Sequence, residues 1–77
     1  MRKIEFTAPV GGRYLRISLI NPHPNGDYWQ VIIDDYYHGT VTKRGGEWVG
    51  HLNPRSTLQP EDTQLLGERI DRYEDEK

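Results

Sequence analysis

Apolar and polar residues alternate along several stretches between residues 3 and 52, which is the pattern of strands with one buried side. Residues that cannot continue a ladder separate these stretches, such as the two prolines and the Asn-Gly pair within residues 21–27. The sequence therefore predicts four or five consecutive strands. They cover residues 3–7, 13–20, 28–33, 37–42 and 47–52.

The turn between the third and fourth strands decides which side chains of that hairpin share a face. A slip of one residue in register moves every side chain of a strand to the opposite face. An odd number of turn residues keeps the apolar sides matched, so the pattern predicts Ile33 opposite Tyr37 and Val31 opposite Gly39. In that register the tyrosine faces the core.

After residue 54 the apolar period changes from that of a strand to that of a helix, and we predict a helix over residues 60–73. Pro60 suits the first helical position, and the two acidic residues after it suit the positive end of the helix dipole. Gly67 should weaken this helix by about 1 kcal/mol relative to alanine unless it allows close packing on the sheet. The predicted apolar stripe consists of Leu65, Leu66, Ile70 and Tyr73.

These elements predict an α+β fold, in which an antiparallel meander sheet over residues 2–52 carries one C-terminal helix on one face. A chain of 77 residues has room for one domain, so we assign residues 1–77 to it and expect the acidic end, 74–77, to be frayed. A single helix covers a single face of a sheet. The other face is therefore open to water or to a partner.

The amino-acid composition indicates in which cellular compartment the protein is expected to occur. The chain has no cysteine, which excludes disulfides and thiolate chemistry and fits a reducing cytoplasm. No apolar run is long enough for a signal peptide or a membrane span, so we predict a cytoplasmic protein with no membrane partner. The net charge of −2 is uneven, with +2 over residues 1–55 and −4 over residues 56–77.

The open side of the predicted sheet is the best candidate for a functional surface. Aromatic residues mixed with arginine and polar groups are typical of surfaces that seat a partner, although cross-strand aromatic pairs also stabilise a solvated sheet. We predict a non-catalytic domain that binds an unknown protein partner or a second copy of itself. The candidate contact residues on or above this side are Tyr14, Arg16, Tyr28, Ile32, Tyr36 and His38.

Nucleic-acid binding is the alternative function, through the same sheet side and the basic hairpin at Lys43 and Arg44. The predicted strands and C-terminal helix resemble, in topology, the sheet-reading DNA-binding domains found in some tyrosine recombinases and in plant transcription factors of the AP2 type. No motif of those families is matched, so no residue roles follow from the resemblance. A charge of +2 is small for a phosphate partner.

No catalytic, cofactor or metal motif stands out. His38 and His51 lie opposite each other, and are able to share a metal, if Arg44 and Gly45 form the hairpin turn. A shift of two residues pairs His51 with Thr40 instead. We therefore predict neither enzymatic activity nor a bound cofactor or metal.

Overall fold

The computed structural model describes residues 2–23, 27–56 and 58–75. Part of the predicted loop, residues 24–26, and the end of the predicted tail, residues 76 and 77, lie outside the described residues. The elements in chain order are β1 (Arg2–Val10), β2 (Arg13–Asn21), β3 (Tyr28–Ile33), β4 (Tyr36–Arg44), β5 (Glu47–Leu52) and α1 (Pro60–Asp75).

The strands form one antiparallel sheet in the order β1-β2-β3-β4-β5, and each strand pairs with its neighbours in sequence. Helix α1 packs on one face of this sheet and contacts β1, β4 and β5. The predicted α+β meander with one C-terminal helix is confirmed, with five strands. Short connections between sequential strands make this the simplest topology for the chain.

The first strand is longer than predicted. It continues through Pro9 to Val10, and a two-residue turn at Gly11 and Gly12 leads into β2. Proline has no N–H group for a ladder, so it is found on edge strands, and β1 is an edge of this sheet. The prediction that the strand ends before Ala8 was wrong for this reason.

The predicted register at the start of the third hairpin was wrong. Ile33 pairs with Tyr36, and Ile32 pairs with Tyr37, across a two-residue turn. Both turn aspartates have positive φ, as in the primed turns that match the twist of a hairpin. A bulge follows, and it restores the predicted pairing of Val31 with Gly39.

The bulge places a glycine where other residues do not fit. Gly39 has a φ of +134°, which side-chain-bearing residues rarely adopt. A Cβ atom added there would overlap the backbone of His51 and Leu52 on β5. The extra residue of β4 is therefore accommodated by close approach of the two backbones.

The last hairpin turns at Gly45 and Gly46, which both have positive φ. Arg44 then pairs with Glu47, and Thr40 pairs with His51. Of the two alternatives for this turn, the one that pairs His51 with Thr40 is confirmed, and His38 does not lie opposite His51, because two adjacent glycines suit a primed turn better than an arginine does.

Helix α1 starts as predicted at Pro60 and continues two residues further than predicted, to Asp75. The backbone N–H of Gln59 donates to Asp62 Oδ2 at 2.8 Å, and the Gln59 carbonyl accepts from the Asp62 N–H at 2.9 Å. A carboxylate that reaches back in this way satisfies an otherwise unpaired donor before the first turn.

The buried side of α1 differs from the predicted stripe at one position. Leu66 and Ile70 are fully buried, but Leu65 is 44% exposed. Thr63 and Gly67 take part in the contact instead. Small residues at these two positions allow the helix axis to approach the sheet, so the buried side is rotated away from Leu65.

The core lies between α1 and the sheet, and it contains both tryptophans, Trp29 and Trp48. Gly67 of α1 lies directly over the Trp48 indole, where a Cβ atom would overlap the ring. Gly50 of β5 faces Thr63, and a Cβ atom there would come within 2.7 Å of the threonine Oγ1. The close packing that was the alternative explanation for Gly67 is therefore confirmed.

Candidate functional site

The face of the sheet opposite α1, called the open face here, carries side chains from all five strands. Residues that are paired across two strands have their side chains on the same face of the sheet. Starting from Ile32 and Gln30, the paired residues on the neighbouring strands therefore identify the other members of the open face. Uncharged residues fill its middle. They are Ser18, Ile20, Tyr28, Gln30, Ile32, Tyr37, Thr40, Thr42 and Val49.

Four of the predicted contact residues lie on the open face. Tyr14 is 79% exposed, and Arg16 follows on the same side of β2. Tyr28 and Ile32 are half-buried, since neighbouring strands cover part of each side chain. These residues therefore belong to one continuous surface, with Tyr14 at its end.

Sequence reasoning missed two apolar members of the open face. Tyr37 was predicted to face the core, but it pairs with Ile32 and is 51% exposed. Ile20 continues the alternation of Tyr14 and Arg16 and pairs with Gln30. The alternation alone was sufficient to find Ile20, whereas Tyr37 depends on the bulge.

Two predicted contact residues lie elsewhere. Tyr36 pairs with Ile33, whose side chain is in the core, so the tyrosine is on the helix side of the sheet. His38 is the extra residue of the bulge, and its Nδ1 hydrogen bonds with Ser56 Oγ at 2.9 Å. The prediction that His38 lies on the open face, with Tyr36 at the turn above it, was wrong, because it used a longer turn and a register without a bulge.

Lys43 is also on the helix side. It pairs with Trp48, its Nζ lies 5.7 Å from the centre of that indole, and the same Nζ forms a 2.9 Å ion pair with Asp71 of α1. Lys43 therefore does not share the open side of the sheet with Arg44, and nucleic-acid binding by this hairpin stays a prediction. Arg44 alone projects on the open side, opposite Glu47.

Charged residues of the open face lie toward its edges. Lys3 and Glu5 form a 3.5 Å ion pair on β1. Arg16 is near the end of β2, and Arg44 and Glu47 flank the last turn. Three bases against two acids give this face a charge of +1, so it is close to neutral.

Asp71 connects the helix to the last hairpin. It accepts hydrogen bonds from Lys43 Nζ at 2.9 Å and from Trp48 Nε1 at 3.2 Å. Burial raises the pKa of the Asp71 carboxyl, but these two hydrogen bonds and the charge of Lys43 outweigh it and hold that pKa below its ordinary value of 3.8. The charged carboxylate is thus stabilised by folding.

We expect the Asp71 contribution to stability to be present above pH 3.8 and to be lost as the pH falls through the lower pKa of the folded state. Asp71→Asn should therefore lower the melting temperature at pH 6 and have a smaller effect at pH 3. Thermal unfolding of both proteins at the two pH values measures this difference. Asp75→Asn, at the exposed end of the same helix, is the control. An equal Asp71→Asn effect at both pH values would contradict the assignment.

The described residues offer no metal or membrane feature. Across residues 2–23, 27–56 and 58–75, no three His, Asp or Glu side chains lie close enough together to hold a metal ion. In the same ranges, no helix has the length and apolarity needed to cross a bilayer.

Two recesses lie on the helix side of the sheet, at places that α1 leaves uncovered. One recess has a volume of about 370 Å³. It is formed by Val10, Leu15 and Ile33 together with Tyr36 and His38, the two residues predicted for the open side. The other, of about 420 Å³, lies beside the outer edge of β5. Both are within the size range of small-ligand pockets, about 300–1,000 Å³.

Comparison with known proteins gives no relative for this chain, since no family, no curated protein and no solved structure matches it.

Proposed function

We propose that this protein is a non-catalytic binding module, and that its partner is a second copy of the same chain, held through the open face. The observation that carries the proposal is a complete sheet face that α1 does not cover. Its middle combines the apolar and aromatic side chains of Ile20, Ile32, Tyr28 and Tyr37 with uncharged polar ones such as Gln30 and Thr40. A centre that lacks charge and is rich in aromatic residues, with charges at the margin, is typical of protein interfaces.

The size of the open face supports this proposal. The molecule measures 31 × 21 × 18 Å, and a sheet of five strands, the longest of nine residues, accounts for the two longer dimensions. A rectangle with these two dimensions, about 650 Å², is the upper limit for the area of the face. Two copies would bury up to about 1,300 Å², which is within the range of about 1,200–2,000 Å² for specific interfaces.

The charge of the open face supports a copy of itself over nucleic acid. A surface with a charge of +1 repels a second copy only weakly, and sheets of two molecules are able to pack face to face about 10 Å apart. A phosphate backbone needs several free basic side chains. Lys43, one of the two basic residues predicted to contact phosphate at the last hairpin, is already paired with Asp71.

We expect the purified protein to sediment as a dimer at micromolar to millimolar concentration, and the double variant Tyr28→Ser with Ile32→Ser to sediment as a monomer. Part of each side chain is exposed in the free chain and is available to a partner. The variant therefore loses apolar contact area in the proposed interface. Sedimentation equilibrium over this concentration range measures the change, and circular dichroism verifies that the variant is folded.

The matched control is Leu65→Ser, which removes an apolar side chain that is 44% exposed on α1, away from the open face. This variant should still dimerise. A wild-type protein that stays monomeric at the highest concentration, or a folded double variant that still dimerises, would refute the proposal. Salt-sensitive amide shifts at Arg16 and Arg44 on addition of duplex DNA would favour the nucleic-acid alternative.

A further inference from the structure

The two edges of the sheet are protected very differently. The exposed edge of β1 carries Pro9 and the ion pair between Lys3 and Glu5, which are the usual features that prevent another strand from pairing. Strand β5 has neither proline nor lysine nor arginine, and it contains Gly50. By this comparison β5 is the edge that is suited to accept a strand.

The hydrogen bonds at the two ends of β5 show which of its backbone groups point outward. The N–H of Asn53 donates to the His38 carbonyl of β4 at 2.8 Å, so odd-numbered residues here point toward β4. The Trp48 carbonyl accepts instead from Gln64 Nε2 of α1 at 2.9 Å. Because backbone direction alternates along a strand, Gly50 and Leu52 also present their backbone groups to the outside.

A groove runs beside these outward groups, between β5 and the start of α1. It has a volume of about 420 Å³ and is called the edge groove here. Its lining is largely apolar, and among the residues that the structure describes no charged side chain contributes to it. The residues that form it include Trp48, Gly50, Leu52, Leu58, Pro60 and Thr63.

Gln64 lies at one end of the edge groove, and its hydrogen bond shows that a backbone carbonyl of β5 accepts a donor there. The side-chain amide of Gln64 donates a hydrogen bond to the Trp48 carbonyl. The backbone N–H of an additional strand would donate to the same carbonyl. Gln64 itself is exposed, so its amide is able to move to water when a strand replaces it. One side chain thus takes the place of one hydrogen bond of a sixth strand.

We propose that the edge groove binds an extended peptide segment of another protein, which adds to the sheet as a sixth strand beside β5. The outward backbone groups of Gly50 and Leu52 select an extended backbone, because they pair only with the N–H and C=O groups of a strand. Side chains alternate along the added strand. The apolar lining therefore selects an apolar residue at every second position of the peptide, on the side facing Leu58 and Pro60.

The probe is a capped synthetic peptide of alternating valine and serine with a lysine at each end, titrated into the full isotope-labelled chain and followed by amide NMR. We expect shifts at Trp48, Gly50 and Leu52. Two control peptides carry N-methyl groups, one on the odd and one on the even residues. Only every second N–H group of an added strand points toward β5. The peptide methylated on those groups should bind at least about tenfold more weakly, and the peptide methylated on the other groups should bind as before.

Three variants of the protein make the test more specific. Gln64→Ala frees the Trp48 carbonyl and should increase the affinity for the peptide severalfold, whereas Gln30→Ala, on the open face, should leave it unchanged. The monomeric variant Tyr28→Ser with Ile32→Ser should still bind the peptide, which separates this site from the proposed dimer interface.

The proposal is overturned by equal binding of both methylated peptides, by shifts confined to the open face, or by no shifts at millimolar peptide. Self-association that protects the Gly50 and Leu52 amides from hydrogen exchange would also overturn it, because a second copy would then be the occupant of the edge.

Discussion

Replacing Trp48 with alanine should lower the free energy of unfolding by about 3–5 kcal/mol. The indole is 8% exposed, lies between Gly67 and the Lys43 ammonium group, and donates a hydrogen bond to Asp71. Its removal leaves a cavity between β5 and α1 and takes one of the two hydrogen-bond donors away from the Asp71 carboxylate. Since small domains are stable by about 5–15 kcal/mol in total, this is a large share of the stability of the protein.

Urea unfolding followed by far-ultraviolet circular dichroism measures this loss. The matched control is Val49→Ala, because Val49 is the next residue of β5 and its side chain is on the open face, 37% exposed. We expect the control to change the urea midpoint only slightly. A Trp48→Ala protein with the midpoint of the wild type would show that the indole does not hold α1 against the sheet.

Replacing Gly67 with alanine should destabilise the protein, although alanine is the better helix former by about 1 kcal/mol. A Cβ atom at this position would overlap the Trp48 ring at Cγ, Cδ1 and Cδ2, which are close to the backbone of β5, so the helix or the indole must shift to make room for it. Overpacking of this kind typically costs about 1–3 kcal/mol. The packing term therefore exceeds the gain in helix propensity.

The sign of the Gly67→Ala effect should reverse when the indole is removed. In a Trp48→Ala background the Cγ, Cδ1 and Cδ2 atoms that residue 67 would overlap are gone, so alanine at position 67 should stabilise the helix, as propensity alone predicts. Urea midpoints of the four proteins in this cycle provide the measurement. The control is Arg72→Ala, an exposed substitution on the same helix, which should have the same small effect in both backgrounds. A Gly67→Ala effect of equal sign in both backgrounds would exclude the contact as its cause.

The order of elements could be predicted from the sequence because each carries a local pattern. Alternation marked the strands, and Pro60 with the acidic residues after it marked the start of the helix. Four candidate contact residues also lie where the alternation placed them, at Tyr14, Arg16, Tyr28 and Ile32.

Tyr36 and His38 could not be placed from the sequence, because one residue of β4 interrupts its alternation. The primed turn needs two residues, which sets Tyr36 opposite Ile33, and the bulge at His38 then corrects the register. Tyr37 moves to the open face as a result. A local pattern does not reveal a bulge that is stabilised by contacts of β4 with β5 and with Ser56.

The α+β meander, the helix on one face and the uncovered opposite face all follow from the pattern of residues along the chain, because hydrophobic periodicity and turn residues act between near neighbours. Contacts between distant residues are needed to expose Leu65, to pair Lys43 with Asp71 and to form a groove beside the edge of β5. These features depend on where α1 crosses the sheet. That position is set by the fit of Gly67 onto Trp48, a contact between residues distant in the chain.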